Sequence, residues 1–225
     1  MEWSALHISL KVSLLATAIT FVLGILAARC VARLRRFGGL IDGLFTLPMI
    51  LPPTVVGFFL LVVLGKNSLL GQLLATMDAS VVFTWVGAVI ASATVSFPLM
   101  YRTVRGALEE VDGDMIHAAR TLGMGETRVF WRVVAPNILP SIIAGTILSF
   151  ARALGEFGAT MMIAGNIPGR TQTMAVAVYT AVQSGDRALA YRWVLVICAI
   201  SFAAMVLMNL VNRLHARGNP RRGGL

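Results

Sequence analysis

Arg152 and Glu156 stand four residues apart in an otherwise apolar stretch, Phe150 to Gly169, that reads FARALGEFGATMMIAGNIPG. That spacing puts two side chains on one face of a helix, within reach of one another. Ionisable groups at membrane depth face a protein interior or water. Two chemistries fit the pair. Arg152 offers an anion a favourable field while Glu156 keeps it from being held too tightly, or the two neutralise each other as a clamp between helices. The clamp is favoured. Neutral groups that solvate an anion weakly occur at Thr54, Thr94, Ser96, Ser149 and Thr160, with close backbone at Gly155. Each is also the kind of small residue that lets membrane helices approach. A further stretch, Leu47 to Gly57, reads LPMILPPTVVG. Pro48, Pro52 and Pro53 each remove a backbone donor, so a helix there must kink or open. In a membrane such a break persists where backbone is buried or lines a cavity, as a pathway or as a packing kink.

A polar segment, Glu109 to Pro136 (EEVDGDMIHAARTLGMGETRVFWRVVAP), lies between two apolar runs. Asp112 and Asp114 are N-cap candidates, and Met115, Ile116, Ala118, Ala119 and Leu122 then place apolar side chains on one helical face. Gly123 and Gly125 end that helix, and a second runs from about Thr127 to Val134 until Pro136 breaks it. Ala118 and Ala119 leave a low profile that another protein can approach closely, and Gly123 permits a turn that a Cβ disfavours. The alternative is an amphipathic helix lying on a membrane surface.

Catalytic and metal-binding constellations are missing. His7, His117 and His215 are scattered, without an HExxH pair, and no serine or cysteine nucleophile stands beside a base. Gly65-Lys66-Asn67-Ser68 departs from a phosphate loop, since Leu60 occupies the first glycine position and Asn67 follows the lysine. Cys30 and Cys198 lack metal-ligand spacing and read as small packing residues.

The elements that position these groups follow from composition. With 57% hydrophobic residues, 13% charged residues and a mean hydropathy of +0.81, a chain of 225 residues is too apolar for a soluble domain. Charge-poor runs long enough to cross a bilayer as helix, about 20 residues, are Val12 to Ala28, Gly43 to Gly65, Ala79 to Tyr101, Val133 to Ala151 and Trp193 to Asn212. The expectation is an all-α polytopic membrane protein, with a single domain over 1–217, five transmembrane helices and a Gly/Arg/Pro tail at 218–225. Period-two alternation, the mark of barrel strands, is absent. Basic residues cluster after the first run (Arg29, Arg33, Arg35, Arg36), between the third and fourth (Arg102, Arg105, Arg120, Arg128, Arg132) and after the fifth (Arg213, Arg217, Arg221, Arg222). The positive-inside rule then puts the N-terminus outside and the C-terminus and the 109–136 segment in the cytoplasm. It also accounts for the net charge of +9 without nucleic acid. The first run lacks a basic n-region and reads as a retained helix. Met174 to Val182 is too short to span and reads as an outer-surface or partly inserted helix after the turn at Asn166-Ile-Pro-Gly169.

The pattern Ala118-Ala119, Gly123, Val133, Ala135-Pro136 resembles the EAA loop of permease subunits of binding-protein-dependent ABC importers. His117 stands where that family usually has Glu, Val133 replaces Ile and Ala135 replaces Leu. A Glu at 117 could close a capping box with Asp114, which His cannot. Leu47 to Gly57, Phe150 to Gly169 and the Ala118–Gly123 run AARTLG resemble the permeases of molybdate importers, with sulfate and thiosulfate permeases as near relatives. The resemblance implies a type I ABC importer permease core in a bacterial inner membrane, built as a homodimer. Two cytoplasmic ATPase subunits would bind ATP and Mg, and a periplasmic molybdate-binding protein would deliver the cargo. This chain itself would carry no cofactor. The resemblance also implies a coupling helix that docks on the ATPase through Asp114, Met115, Ile116, His117, Ala118, Ala119, Leu122, Gly123 and Pro136. A translocation path would involve Pro52, Pro53, Thr54, Thr94, Ser96, Ser149, Arg152, Gly155, Glu156 and Thr160. The same architecture carrying sulfate, thiosulfate or tungstate is one alternative; a polytopic membrane enzyme or channel is the other.

Overall fold

The computed structural model describes residues 3–32, 34, 37–77 and 80–218, the side chains of 75 and 211–218 excepted. Arg33, Arg35, Arg36, Arg221 and Arg222, the side chains of Arg213 and Arg217, and the expected tail beyond Gly218 lie outside the described residues. The chain forms α1 (Ser4–Ala32), α2 (Gly38–Ile50), α3 (Pro53–Leu64), α4 (Leu69–Thr76), α5 (Trp85–Glu109), α6 (Gly113–Thr121) and α7 (Glu126–Val129). A π-helical turn over Phe130–Val134 leads into α8 (Ala135–Leu154), followed by α9 (Gly158–Ala164), α10 (Met174–Gln183) and α11 (Arg187–Gly218). No strand occurs among the described residues.

Among the described residues three helical stretches are long and apolar enough to cross a membrane: Ser4–Ala32, Glu126–Leu154 and Arg187–Leu210. The second expected span is a folded pair, because α2 and α3 meet at 110° across Leu51 and Pro52. Pro52 and Pro53 withhold two donors there, and each arm, of 13 and 12 residues, is too short to cross alone. The third expected span is α5, whose 25 residues reach about 37 Å at 1.5 Å per residue. It is less apolar than the others because it is the central helix, packed on α1, α2, α8 and α9, and its buried face is built from small and hydroxyl-bearing residues.

Helices α1 and α5 run side by side in the same direction, with Lys11 over the Trp85 ring at one end and Gly24 beside Met100 and Tyr101 further along. Ala16, Thr20, Gly24 and Ala28 recur every fourth residue on the buried face of α1. On α5, Ala88, Ser92, Ser96, Met100 and Val104 do the same. A methyl group at Gly24 would lie 2.7 Å from Met100 Cγ, so the backbones approach as only a glycine allows. Hydroxyls along the seam are satisfied within their own helices: Thr17 donates to the Ser13 carbonyl at 2.6 Å, Thr20 to Thr17 at 3.0 Å and Ser96 to Ser92 at 2.6 Å.

The polar segment folds as helix, turn and helix, with three differences from the sequence expectation. Asp112, and not Asp114, caps α6 by accepting the Asp114 N–H at 2.8 Å. Position 117 is therefore too far into the helix for any capping box. The apolar face also divides, since Ala119 and Ile116 turn into the bundle while Met115, Ala118 and Leu122 point away from it. Finally, Pro136 does not end the second helix. The π turn moves the Ala135 N–H onto the Phe130 carbonyl, and Pro136 enters at the first turn of α8, where a donor is dispensable.

The apolar run after Arg152 is interrupted at Gly155–Phe157, between α8 and α9. Helix α10 buries Met174, Val176, Ala177 and Ala181, packs on α11, and is tied to α1 by the Met174 N–H donating to Ser9 Oγ at 2.7 Å. Cys30 and Cys198 are free and exposed, so neither fills the interior as expected.

Gly57 on α3 faces α9 with no room to spare: an added methyl would sit 2.7 Å from Met162 Cβ and 2.8 Å from Ala159 Cα. Gly57→Val is expected to destabilise the purified protein by about 1–3 kcal/mol, read as a lower thermal unfolding midpoint in detergent. An unchanged midpoint would refute the close α3–α9 contact.

Candidate functional site

Two helix breaks face one another in this fold. The first is the Leu51–Pro52 bend between α2 and α3, and the second is Gly155–Phe157 between α8 and α9. A methyl group at Gly158 would lie 3.0 Å from the Pro53 side chain and 3.2 Å from the Thr54 nitrogen, so the first turn of α9 rests on the first turn of α3. Interrupted helices inside a membrane protein free backbone polar groups, which is tolerated where protein buries them or a cavity receives them.

Glu156 sits at this junction, 2% exposed. One carboxylate oxygen accepts from Arg152 Nη1 at 2.6 Å and the other accepts the Ala159 N–H at 2.9 Å. Phe157, the residue flanking α9, supplies no side-chain cap, so Glu156 does the capping from one residue further out. Both lone-pair directions are thus directed: one holds the end of α8, the other the start of α9. The clamp predicted for the pair is what the geometry contains. The Arg152 side chain is one-third exposed and reaches the surface from this anchor. Phe157 adds a ring contact to Tyr179 of α10, with centroids 5.1 Å apart.

The neutral groups separate into those at the break and those elsewhere. Pro52, Thr54 and Gly155 are exposed at the junction, and Thr160 is fully buried on α9 with a hydroxyl that has no hydrogen-bond partner. Thr94 donates to the Ile90 carbonyl at 2.8 Å and lines a separate apolar cleft of about 330 Å³ with Phe45 and Pro48. Ser96 and Ser149 are buried against each other where α5 meets α8, and Ser149 donates to the Ser96 carbonyl at 3.5 Å. Ser96 and Ser149 therefore serve packing in this conformation, and Thr94 stands apart from the junction.

The α6–α7 turn is built with equal definition. Gly123 has φ +78°, and the Met124 and Gly123 N–H groups return to the Ala119 and Arg120 carbonyls at 3.2 and 2.9 Å. This is the double-bonded glycine stop that closes a helix in the left-handed conformation. Arg120 then spans the turn as a fork onto both Glu126 oxygens, at 2.8 and 3.2 Å, and that carboxylate raises the guanidinium pKa further. Arg29, in the last turn of α1, lies 3.8 Å above the Phe130 ring and fixes the π turn to the bundle. Outside this frame Met115, Leu122 and Trp131 are exposed.

A further group escaped the sequence reading. Tyr101 donates its hydroxyl to Asp42 of α2, and Arg105 pairs with Glu109 at 2.9 Å. The four-residue spacings 101–105 and 105–109 on α5 carry part of that signal; Asp42 lies 59 residues from Tyr101 and carries none of it. Among the described residues no group of three or more His, Cys, Asp or Glu could hold a metal ion.

Glu156→Ala is expected to cost more stability than Glu156→Gln by the worth of one helix cap, about 1 kcal/mol, since glutamine keeps an acceptor for the Ala159 N–H. Equal thermal midpoints for the two variants would show that the cap contributes nothing.

Comparison with known proteins gives this geometry a setting. The chain is 44% identical over 226 residues to the molybdenum transport system permease protein ModB of Escherichia coli (strain K12), covering 99% of this chain and 97% of that one. It is 37% identical to the sulfate transport system permease protein CysT of Salmonella typhimurium, covering 97% and 78% respectively. In fold it superposes on a solved bacterial ABC transporter involved in import of the acidic polysaccharide alginate, with a TM-score of 0.72 at 14% identity over 95% of this chain and 78% of that one. The family model for the binding-protein-dependent transport system inner membrane component matches residues 20–222, and the chain belongs to that family.

Proposed function

We propose that this chain is the membrane-spanning permease subunit of an ABC importer that carries molybdate inward by alternating access. The observation that carries the cargo assignment is whole-length similarity to a molybdenum permease, greater than that to the sulfate permease. As a permease it is a non-catalytic subunit, and a partner hydrolyses ATP. The working unit is a homodimer with two cytoplasmic ATPase subunits, which bind ATP and Mg, and a periplasmic molybdate-binding protein. The chain is one permease domain over 1–217, with its N-terminus outside and its C-terminus in the cytoplasm, and crosses the membrane five times, α2–α3 counting as a bent span.

The 109–136 segment is the coupling loop on this reading. The outward side chains of Met115, Ala118 and Leu122, with His117 beside them, form the docking surface. Asp114, Ile116, Ala119, Gly123 and Pro136 give that surface its shape. The rigid turn supports such a role, since a docking helix transmits displacement only if its own frame does not yield. The path runs by the facing breaks, where Pro52, Pro53, Thr54, Gly155 and Thr160 offer backbone and hydroxyl, and where Arg152 is held by Glu156. Thr94, Ser96 and Ser149 come into the path only if the inward and outward states differ at α5. ATP favours one state and anion release the other, each through its differential affinity for the two.

Sulfate transport by the same architecture is the second reading, favoured by the relative named for that anion. Reconstitution in liposomes with the partner ATPase and binding protein separates the two. Stimulation of ATP hydrolysis is expected at molybdate concentrations at least about tenfold below those of sulfate, a 1.4 kcal/mol preference. The reverse order would transfer the cargo to sulfate, and no response to either anion would overturn the importer reading. Gly123→Val forces a β-branched residue into positive φ, where it is a conformational outlier. It is expected to leave membrane insertion intact while abolishing import; wild-type import in that variant would refute the coupling role.

A further inference from the structure

A hollow of about 580 Å³ opens between α10 and the first turns of α11, lined in part by Gln172, Thr180, Ser184, Asp186, Arg192 and Trp193. A short relay fixes its wall: Gln172 Nε2 donates to Asn166 Oδ1 at 2.9 Å, and Asn166 Nδ2 donates to Thr180 Oγ1 at 2.9 Å. Trp193 is buried beside it. Two opposite charges share this hollow without meeting. Asp186 caps α11 with one carboxylate oxygen, which accepts the Leu189 N–H at 3.0 Å, and its other oxygen is unengaged. Arg192 is exposed, and among the described residues its guanidinium has no hydrogen bond or ion pair. The two stand six positions apart, about 9 Å along a helix axis. The hollow also lies at a membrane boundary, because the span Arg187–Leu210 begins there and turns almost none of its surface inward. Further along that span Leu195 and Phe202 are exposed, on the Arg192 side of the helix by their spacing. From its N-terminal end α11 thus presents a carboxylate, a guanidinium and then apolar surface.

We propose that this hollow binds the headgroup of a phospholipid carrying a primary ammonium, with the ammonium on Asp186, the phosphate on Arg192 and the acyl chains along Leu195 and Phe202. An ethanolamine phospholipid has ammonium, phosphate and chains in that covalent order, which matches the order of groups on α11. A guanidinium takes phosphate through charge-assisted hydrogen bonds. The primary ammonium donates to the unengaged Asp186 oxygen. A choline headgroup has no N–H to give and is held best by a cage of aromatic rings, of which the lining supplies Trp193 alone. An anionic glycerol headgroup satisfies Arg192 but brings uncompensated negative charge to Asp186, a like-charge juxtaposition. None of the lining residues belongs to the facing breaks or to 109–136, so the site is independent of cargo and coupling.

Titration of the delipidated full chain in detergent tests this, with short-chain ethanolamine, choline and glycerol phospholipids of equal chain length and binding read by calorimetry. The ethanolamine lipid is expected to bind at least about tenfold more tightly than either of the others. Asp186→Asn keeps a capping acceptor for the Leu189 N–H and removes the charge. It is expected to bring ethanolamine affinity down to the choline level while leaving the thermal midpoint of the lipid-free protein unchanged. Arg192→Gln is expected to weaken all the lipids, whereas Arg187→Gln, at an exposed cation outside the lining, leaves them as they were. Equal affinity for the headgroups, tightest binding of the glycerol lipid, or equal losses from the substitutions at 187 and 192 would each overturn the site. Should Arg192→Gln fail to fold, the headgroup order and Asp186→Asn decide alone. Failure of every lipid to bind, with Asp186→Asn instead weakening capture of the periplasmic binding protein, would assign the hollow to a protein partner and refute the lipid.

Discussion

The close approach of α1 and α5 is the contact on which the other elements depend. Inside a bilayer no hydrophobic force draws helices together, because lipid tails are as apolar as the side chains they would replace. Association must come from dispersion at short range, and that requires small residues in register. Alanine, threonine and glycine at every fourth position of α1 meet a matching row on α5. Met100 is the large side chain the seam was shaped around: it is fully buried, pinched between Gly24 of α1 and Gly145 of α8. A methyl at Gly145 would lie 3.0 Å from its sulfur. Through α5 this seam carries α8, α9 and α2, and through α9 it carries α3. The hydroxyls in the seam bond backward to carbonyls of their own helix, so they add no polar demand that a neighbour must meet.

Against that centre the two broken elements differ: α9 is buried on α3 and α5, and α2 touches the bundle along one face. Helix α2 rests on Ile41, on Phe45 against Phe97 and Tyr101, and on the Asp42 carboxylate, and α9 begins on a carboxylate that also holds the arginine ending α8. The α8–α9 break has an acid at its root, Glu156, which serves two donors, whereas Asp42 holds α2 to Tyr101 near the end remote from its break. Apolar packing would fix these arms without direction. A carboxylate bonded to a defined donor adds direction to that packing.

Much of this was legible in the residues. The apolar runs identified the helices, Arg152 and Glu156 announced their pairing by spacing, and Gly123 marked the turn that the backbone makes there. Other features were hidden for physical reasons. Prolines 52 and 53 foretold an interruption, but a 110° fold between two short arms is set by what the arms rest on, which is Gly57 and Gly158 against α9 and α3. Pro136 looked like a stop because a proline inside a helix clashes with the preceding turn. The π turn ahead of it relieves the clash, and no local pattern distinguishes that case. Asp114 looked as good a cap as Asp112, and the choice falls to tertiary packing, which needs Ala119 and Ile116 facing inward. Asp42 was missed because its partners are 59 and more residues away.

Neutralisation at the facing breaks bears on what could pass there. A free arginine beside an oxyanion would bind it strongly, and a site of that kind slows release. With Glu156 already occupying one Arg152 nitrogen, an anion on the proposed path would meet a pair of opposite charges, and the guanidinium edge that remains accessible would act as a directional donor more than as a field. Thr160, buried with its hydroxyl unengaged, is another group there with hydrogen-bonding capacity in reserve. It stands four residues beyond Glu156, past the capped Ala159 N–H, so any shift of α9 relative to α8 would alter both together. On the proposed reading, affinity is thus kept low by design of the pair, and selection among tetrahedral oxyanions of like size falls to the binding protein that delivers them. The permease then needs only to change which side its breaks open toward, a task for the arms and not for the seam.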